Sequence, residues 1–272
     1  MRHKPDNTSV VPTHSKFTLQ IRFKMDANTF DGNSVFEDDY LYFYETLLTP
    51  ERTQHEVDLI CRLLDLQPGM TILDLACGHG RIANQLAARG YHVTGLDSTA
   101  FFLEKARLDA ERNGVKVEYI QGDMRSLPNC DRFNCILNCF TAFGYFDDHE
   151  NRSCLAQAYD ALKVGGKLLI DIRNLSYILQ NFTPELVTER DGNYMLTRDR
   201  YDALTNRTYS ERIIIRDGQV RRGEYFVRNF TFPEIRDWLL QTGFTEVEGY
   251  GYDGEPLAVD SRRMIVVANK SN

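Results

Sequence analysis

The sequence has no run of about 20 apolar residues, the length a helix needs to cross a bilayer. Its first residues also lack the continuous apolar stretch of a secretory signal. These two absences lead to the expectation of a cytoplasmic protein. No Cys-x-x-Cys pair occurs among the six cysteines, at positions 61, 77, 130, 135, 139 and 154. The closest two, Cys135 and Cys139, have no histidine at ligand spacing, so reduced thiols and no metal site are expected. Basic charge is not in excess either. A net charge of -7 argues against general nucleic-acid binding, which draws its affinity from concentrated lysine and arginine. No internal repeat or low-complexity tract is present. What remains is an ordinary globular composition, 42% hydrophobic and 26% charged over 272 residues, enough for one sizeable core.

Charge is unevenly spread. Residues 1–25 carry Arg2, Lys4, Lys16, Arg22 and Lys24 against Asp6 alone, so 1–35 reads as a basic arm, either solvated or docked on a neighbouring subunit. Docking would make the protein a homo-oligomer through this arm, since exchanging a terminal element is a low-cost route to symmetric assembly. Residues 36–67 hold two helices. In the first, Tyr40, Phe43, Tyr44 and Leu47 share one face; in the second, Pro50 sits in the first turn and Val57, Ile60, Leu63 and Leu64 lie on one side.

From Pro68-Gly69 onward, through residues 68–272, the pattern is that of one α/β domain. Apolar runs at 71–75, 91–96, 115–120, 133–139 and 166–172 alternate with helical segments near 80–89, 99–113 and 149–163. Strands alternating with helices imply a parallel, doubly wound, Rossmann-like sheet, with ligands at the carboxyl ends of the strands. An insertion at 183–230 breaks the rhythm with three antiparallel strands, turning at Asn206 and at Asp217-Gly218. A helix ending at Gly243 follows, then two strands near 244–250 and 262–268 with no helix between them. Those two must pair as a hairpin, placing one antiparallel strand in the sheet.

The chemistry is concentrated in Ile72–Asp97, "ILDLACGHGRIANQLAARGYHVTGLD". Gly78-x-Gly80-Arg81-x-Ala83, with Asp97 closing the next strand, fits the dinucleotide fingerprint by spacing. The glycines let backbone approach a ligand whose anionic part meets a helix N-terminus, and Asp97 suits the two hydroxyls of a ribose. Three features oppose a pyrophosphate. Asp74, four residues before Gly78, would repel one but attract an ammonium or sulfonium. "EYIQGDM" closes the third strand with Asp123 and Met124, an acid for an exocyclic amine and a thioether for a ring face. The terminal hairpin is not how a dinucleotide domain usually ends.

With "GLD" and "GDM" after it, and the closing hairpin, this stretch resembles the class I S-adenosylmethionine-dependent methyltransferases from about residue 36 onward. The resemblance implies a seven-stranded sheet in the order 3-2-1-4-5-7-6 with strand 7 antiparallel, and S-adenosyl-L-methionine as cofactor, leaving as S-adenosyl-L-homocysteine; the helix bearing Tyr40, Phe43 and Tyr44 is expected as an N-terminal helical lid over it. It implies cofactor contacts at Asp74, Ala76, Gly78, Arg81, Asp97, Asp123 and Met124; Gly80, Ser98, Asn138 and Tyr44 join them as candidates. "FTAFGYFDD" and "DGEPLAVDSRRMIVVA" are similar to a bacterial branch acting on small molecules of secondary metabolism. By general likeness rather than by a motif, the chain also resembles the terpenoid-indole C-methyltransferases of teleocidin-type pathways.

Methyl transfer from a sulfonium is an in-line displacement in which the protein mainly positions the partners and excludes water. The acceptor is expected beyond the fourth strand, against Tyr40, Phe43, Cys139, Phe140, Phe143, Tyr145 and Tyr201, as a small, largely apolar or aromatic molecule taking the methyl on O, N or C. His149 and Asp171 are the base candidates. Each has a plainer reading: His149 as a surface histidine at a helix start, Asp171 as the orienter of Arg173 or Asn174. Cys77 reads as turn filler and His79 as exposed and incidental. No Lys-Asp-Lys-Glu set, metal triad or Asn-Pro-Pro-Tyr pattern occurs, which weighs against metal-assisted catechol chemistry and DNA as substrate. The competing readings are an NAD-dependent oxidoreductase on a variant Rossmann domain and a non-catalytic cofactor-binding protein.

Overall fold

The computed structural model describes residues 38–127 and 131–271; the basic arm and Cys130 lie outside the described residues. Helix α1 (Asp38–Tyr44), with a 3-10 turn behind it (Glu45–Leu47), comes first and is followed by helix α2 (Pro50–Leu64). Thr49 caps α2, its hydroxyl accepting from Arg52 N at 3.2 Å, and Pro50 fills the first position, where a missing N–H costs nothing. Leu47 was expected on the buried face of a longer first helix. It is exposed (53%) because α1 stops at Tyr44, and Leu41 is buried in its place.

The main sheet joins β1 (Thr71–Leu75), β2 (His92–Asp97), β3 (Val117–Gln121), β4 (Phe133–Asn138), β5 (Leu162–Arg173), β10 (Thr245–Tyr250) and β11 (Arg263–Asn269). Its order is β10-β11-β5-β4-β1-β2-β3, and β11 runs antiparallel to both neighbours. This is the expected 3-2-1-4-5-7-6 arrangement. Helices α3 (Arg81–Ala88), α4 (Ala100–Arg112) and α5 (Asp148–Ala161) are the crossovers, and a short α6 (Leu175–Gln180) leaves β5. Two apolar layers flank the sheet. One packs Phe133, Leu155, Phe230, Trp238 and Phe244 from the α5 side; the other packs Val57, Ile60, Ile72 and Leu86 from α2 and α3.

The insertion is a sheet of four strands where three were expected: β6 (Glu185–Arg190), β7 (Asn193–Asp202), β8 (Arg207–Arg216) and β9 (Gln219–Arg228), in sequence order. Asp191-Gly192 joins β6 to β7 with positive φ at both residues, as Asp217-Gly218 joins β8 to β9. Helix α7 (Phe232–Thr242) then leads back, ending at Gly243 with φ 115°. Helix α1 is fastened to this second sheet. Asp39 is buried and pairs with Arg216 at 3.0 Å and with Arg221, while the Tyr42 hydroxyl donates to Arg190 O at 3.0 Å. Burial pushes the Asp39 carboxyl up, but the two guanidiniums outweigh it and hold it below its usual value. Phe43 closes the joint against Met195 and Ile214.

Candidate active site

The carboxyl ends of β1, β2 and β4 open onto one cavity of about 320 Å3. The central strand β1 puts Asp74 between Gly95 of β2 and Leu137 of β4. After Leu75 the chain turns sharply through Ala76 (φ 61°) and Gly78 (φ 55°) into the first turn of α3. A non-glycine residue at positive φ stores backbone strain that the surroundings must hold. Here Cys77 N donates to Leu96 O at 3.0 Å, and Gly78 N to Asp97 Oδ2 at 2.8 Å. Gly80 is required by packing: a Cβ there would lie 2.2 Å from the Tyr119 hydroxyl and 2.8 Å from Ala106 Cβ.

Asp97 serves two neighbours at once. Its Oδ1 accepts from Thr99 N at 2.9 Å while Oδ2 holds Gly78. One carboxylate therefore orders both the turn after β1 and the start of α4. Asp74 is the opposite case. It is buried, lines the cavity, and no donor among the described residues reaches its Oδ2. Burial, with Asp97 nearby and Arg81 opposing, pushes its carboxyl up to about 7. Asn138, at the end of β4, donates from Nδ2 to Leu75 O at 3.1 Å and leaves its buried Oδ1 unsatisfied among the described residues. An unmet buried acceptor costs about 1–3 kcal/mol. Of the two, only Asp74 lines the cavity, where its carboxylate suits a ligand ammonium and repels a phosphate; Asn138 lies behind the wall.

At the far end lie Ser98, Asp123 and Met124. Met124 is buried; Asp123 is part exposed and paired with Arg125 at 2.6 Å, which in turn reaches Glu150 at 2.6 Å. The hydrogen bonds from Arg125 hold the Asp123 carboxyl below its usual value. Arg125, Thr99 and Phe102 also line the cavity and were missed. Arg125, two residues after Asp123, was the detectable one.

Beyond β4 the turn Cys139-Phe140-Thr141 forms the opposite wall with Tyr40, Tyr145 and Phe146. Phe140 (φ 59°) and Thr141 (φ 62°) are both left-handed, a conformation a β-branched residue strongly resists. Asp171 is what holds them. Its Oδ2 accepts from Phe140 N at 3.0 Å and its backbone oxygen from Thr141 N at 2.9 Å, while Arg263 bonds Asp171 Oδ1 and Thr141 Oγ1, each at 2.7 Å. Asp171 orients neither Arg173 nor Asn174: it is committed to Arg263 and does not line the cavity.

Several other candidates also lie apart. His149 is exposed on the first turn of α5, away from the cavity wall. Phe143 packs on Phe230 with ring centroids 5.5 Å apart, Phe43 is core beneath the second sheet, and the Tyr201 hydroxyl donates to Asn206 Oδ1 at 2.6 Å. Tyr44 backs the wall, stacked on Tyr40 at 4.3 Å. His79 is not exposed as expected. It is half-buried and lines the cavity, and burial with Arg81 nearby lowers it to about 4. Burial pushes the Tyr40 and Tyr145 phenols and the Cys77 and Cys139 thiols up. Among the described residues no cluster of three potential metal ligands occurs.

Residues 72–166 match the model of the methyltransferase domain. A ubiquinone biosynthesis O-methyltransferase of Rickettsia felis is 32% identical over 169 residues, covering 58% of this chain and 68% of that one. A protein of Geobacillus sp. (strain WCH70) that carries a methyltransferase name is 26% identical over 244 residues, 86% of this chain and 99% of its own. Among solved structures, the CcbJ methyltransferase of Streptomyces caelestis superposes with a TM-score of 0.75 at 21% identity, over 89% of this chain and 100% of that one. At that identity the likeness speaks for the fold.

Proposed function

We propose, for a chain that belongs to the S-adenosylmethionine-dependent methyltransferases, that it methylates carbon or nitrogen on a small, ring-bearing acceptor of secondary metabolism. When bound, S-adenosyl-L-methionine supplies an activated methyl carbon on a sulfonium. The residues fit its parts. Asp74 Oδ2 would hold the ammonium, and Arg81 with the N-terminus of α3 the carboxylate. Asp97 would take the ribose hydroxyls, and Asp123 and Met124 the adenine. The observation that carries the acceptor reading is the ring wall that Tyr40 and Tyr145 form with Phe140 of the β4 turn. Flat aromatic faces favour a π-rich acceptor and attract a sulfonium or a carbocation.

The scarcity of a base supports carbon or nitrogen over oxygen. A phenol must lose a proton, whereas a neutral amine or an olefin attacks without doing so. Tyr40 and Tyr145 stay protonated, His79 is too weak a base, His149 faces solvent, and Asp171 is locked to Arg263. The terpenoid-indole C-methylation suggested by resemblance belongs to this class. The test is a panel of prenylated indoles, aromatic amines and phenols incubated with the cofactor and read by mass spectrometry. Methylated indole or amine is the expected result. Turnover of phenols alone would overturn the reading.

A further inference from the structure

We propose that Glu56, a residue of α2 outside every recognisable motif, is a positioning residue that keeps Arg81 available for the carboxylate of the bound cofactor. This rests on the cofactor placement given under Proposed function. Glu56 is buried (8% exposed), and three groups converge on its carboxylate. Arg52 donates from Nε to Oε1 at 2.8 Å, the Tyr252 hydroxyl donates to the same oxygen at 3.2 Å, and Arg81 pairs with Oε2. Arg81 opens α3 and lines the cavity. A further hydrogen bond ties it to α2, from Nη1 to Thr53 Oγ1 at 3.4 Å. Both contacts use Nη1, which leaves Nε and Nη2 of the guanidinium fork for a ligand carboxylate.

Arg81 faces a second carboxylate in the same cavity. After burial itself, Arg81 is the strongest influence on the Asp74 carboxyl. A buried guanidinium that loses its partner seeks the nearest remaining one, because an unpaired buried charge is costly. Without Glu56, Arg81 would therefore turn toward Asp74. That single movement would cover the oxygen offered to the ammonium and withdraw the cation offered to the carboxylate. Glu56 thus keeps the two poles of the amino-acid site apart. Tyr252 ties the arrangement to the segment joining β10 to β11, which also meets α2 where Arg62 donates to Asp253 O at 2.9 Å.

The test compares two ligands by calorimetry on the full-length protein. S-adenosylhomocysteine carries the amino-acid end; 5′-methylthioadenosine lacks it. Glu56→Gln is expected to weaken S-adenosylhomocysteine about 10- to 150-fold, the range of a charge-assisted hydrogen bond, and to leave 5′-methylthioadenosine unchanged. Arg81→Gln should show the same selective loss, and Glu56→Gln should add little on the Arg81→Gln background. Should Glu56→Gln not fold, Glu56→Asp, which keeps the charge but shortens the reach, is expected to give a smaller selective loss. Equal losses for the two ligands, losses that add in the double variant, or no loss would each overturn the positioning role. Failure of the unsubstituted protein to bind S-adenosylhomocysteine would remove the cofactor placement itself, and this inference with it.

Discussion

Asp74 carries a buried carboxylate oxygen with no donor among the described residues, so its titration reports on the site. Its folded-state value of about 7 lies above the roughly 3.9 of an unfolded chain. Between those values the folded protein holds a proton that the unfolded chain has released, so this residue's contribution to stability falls as pH rises from about 4 to about 7. Above that window it is flat. A bound ammonium reverses the preference and favours the ionised form. Affinity for S-adenosylhomocysteine is therefore expected to fall as pH drops below about 7, by at most about tenfold per unit. Calorimetry at about pH 7.5 and about pH 5.5 checks this, and Asp74→Asn should bind weakly with little pH dependence. Equal affinity of the unsubstituted protein at both pH values would contradict the ammonium site. Asp74 and Asp97 were legible because strand periodicity and the glycine spacing fix where they sit. Glu56 was not, since α2 meets α3 only after folding and a helical glutamate looks the same whether solvated or buried.

At the scale of elements, the turn after β4 shows what the fold must hold in place. Two consecutive left-handed non-glycine residues persist only because Asp171 and Arg263, on adjacent antiparallel strands, bind them from below. Asp171→Ala removes the acceptor of Phe140 N–H and strands Arg263, a loss of about 3 kcal/mol for a broken buried pair. At about 2–4 °C per kcal/mol for a domain of this size, the melting temperature should fall by roughly 6–12 °C. Asp171→Asn should cost less, because its amide oxygen still accepts from Phe140. A melting curve unchanged in Asp171→Ala would mean the turn needs no brace. Apolar strand runs give no hint of such a brace, because its partners are about 90 residues apart in sequence and meet only once β11 is inserted. The extra hairpin of the second sheet was readable. Asp191-Gly192 is the same signal as Asp217-Gly218, but the flanking β6 is exposed along most of its length and shows no alternation of apolar residues.

For the molecule as a whole, two closing strands without an intervening helix announced a hairpin and so one antiparallel strand in the sheet; that strand is β11, inserted between β5 and β10. The acceptor wall was less legible. It depends on α1 and the second sheet being fastened to one another through Asp39, Arg216 and Arg221, and two aromatics that read as lining, Phe43 and Phe143, are core. No helix among the described residues is long and apolar enough to cross a membrane. On this reading the Gly78–Arg81 loop receives an amino-acid zwitterion joined to an adenosine rather than a pyrophosphate. The most direct test is calorimetric titration of the purified protein with S-adenosylhomocysteine and, in parallel, with NADH. Saturable binding of the first, abolished in Asp97→Ala, with no heat from the second, is the predicted result; binding of NADH without S-adenosylhomocysteine would contradict the account.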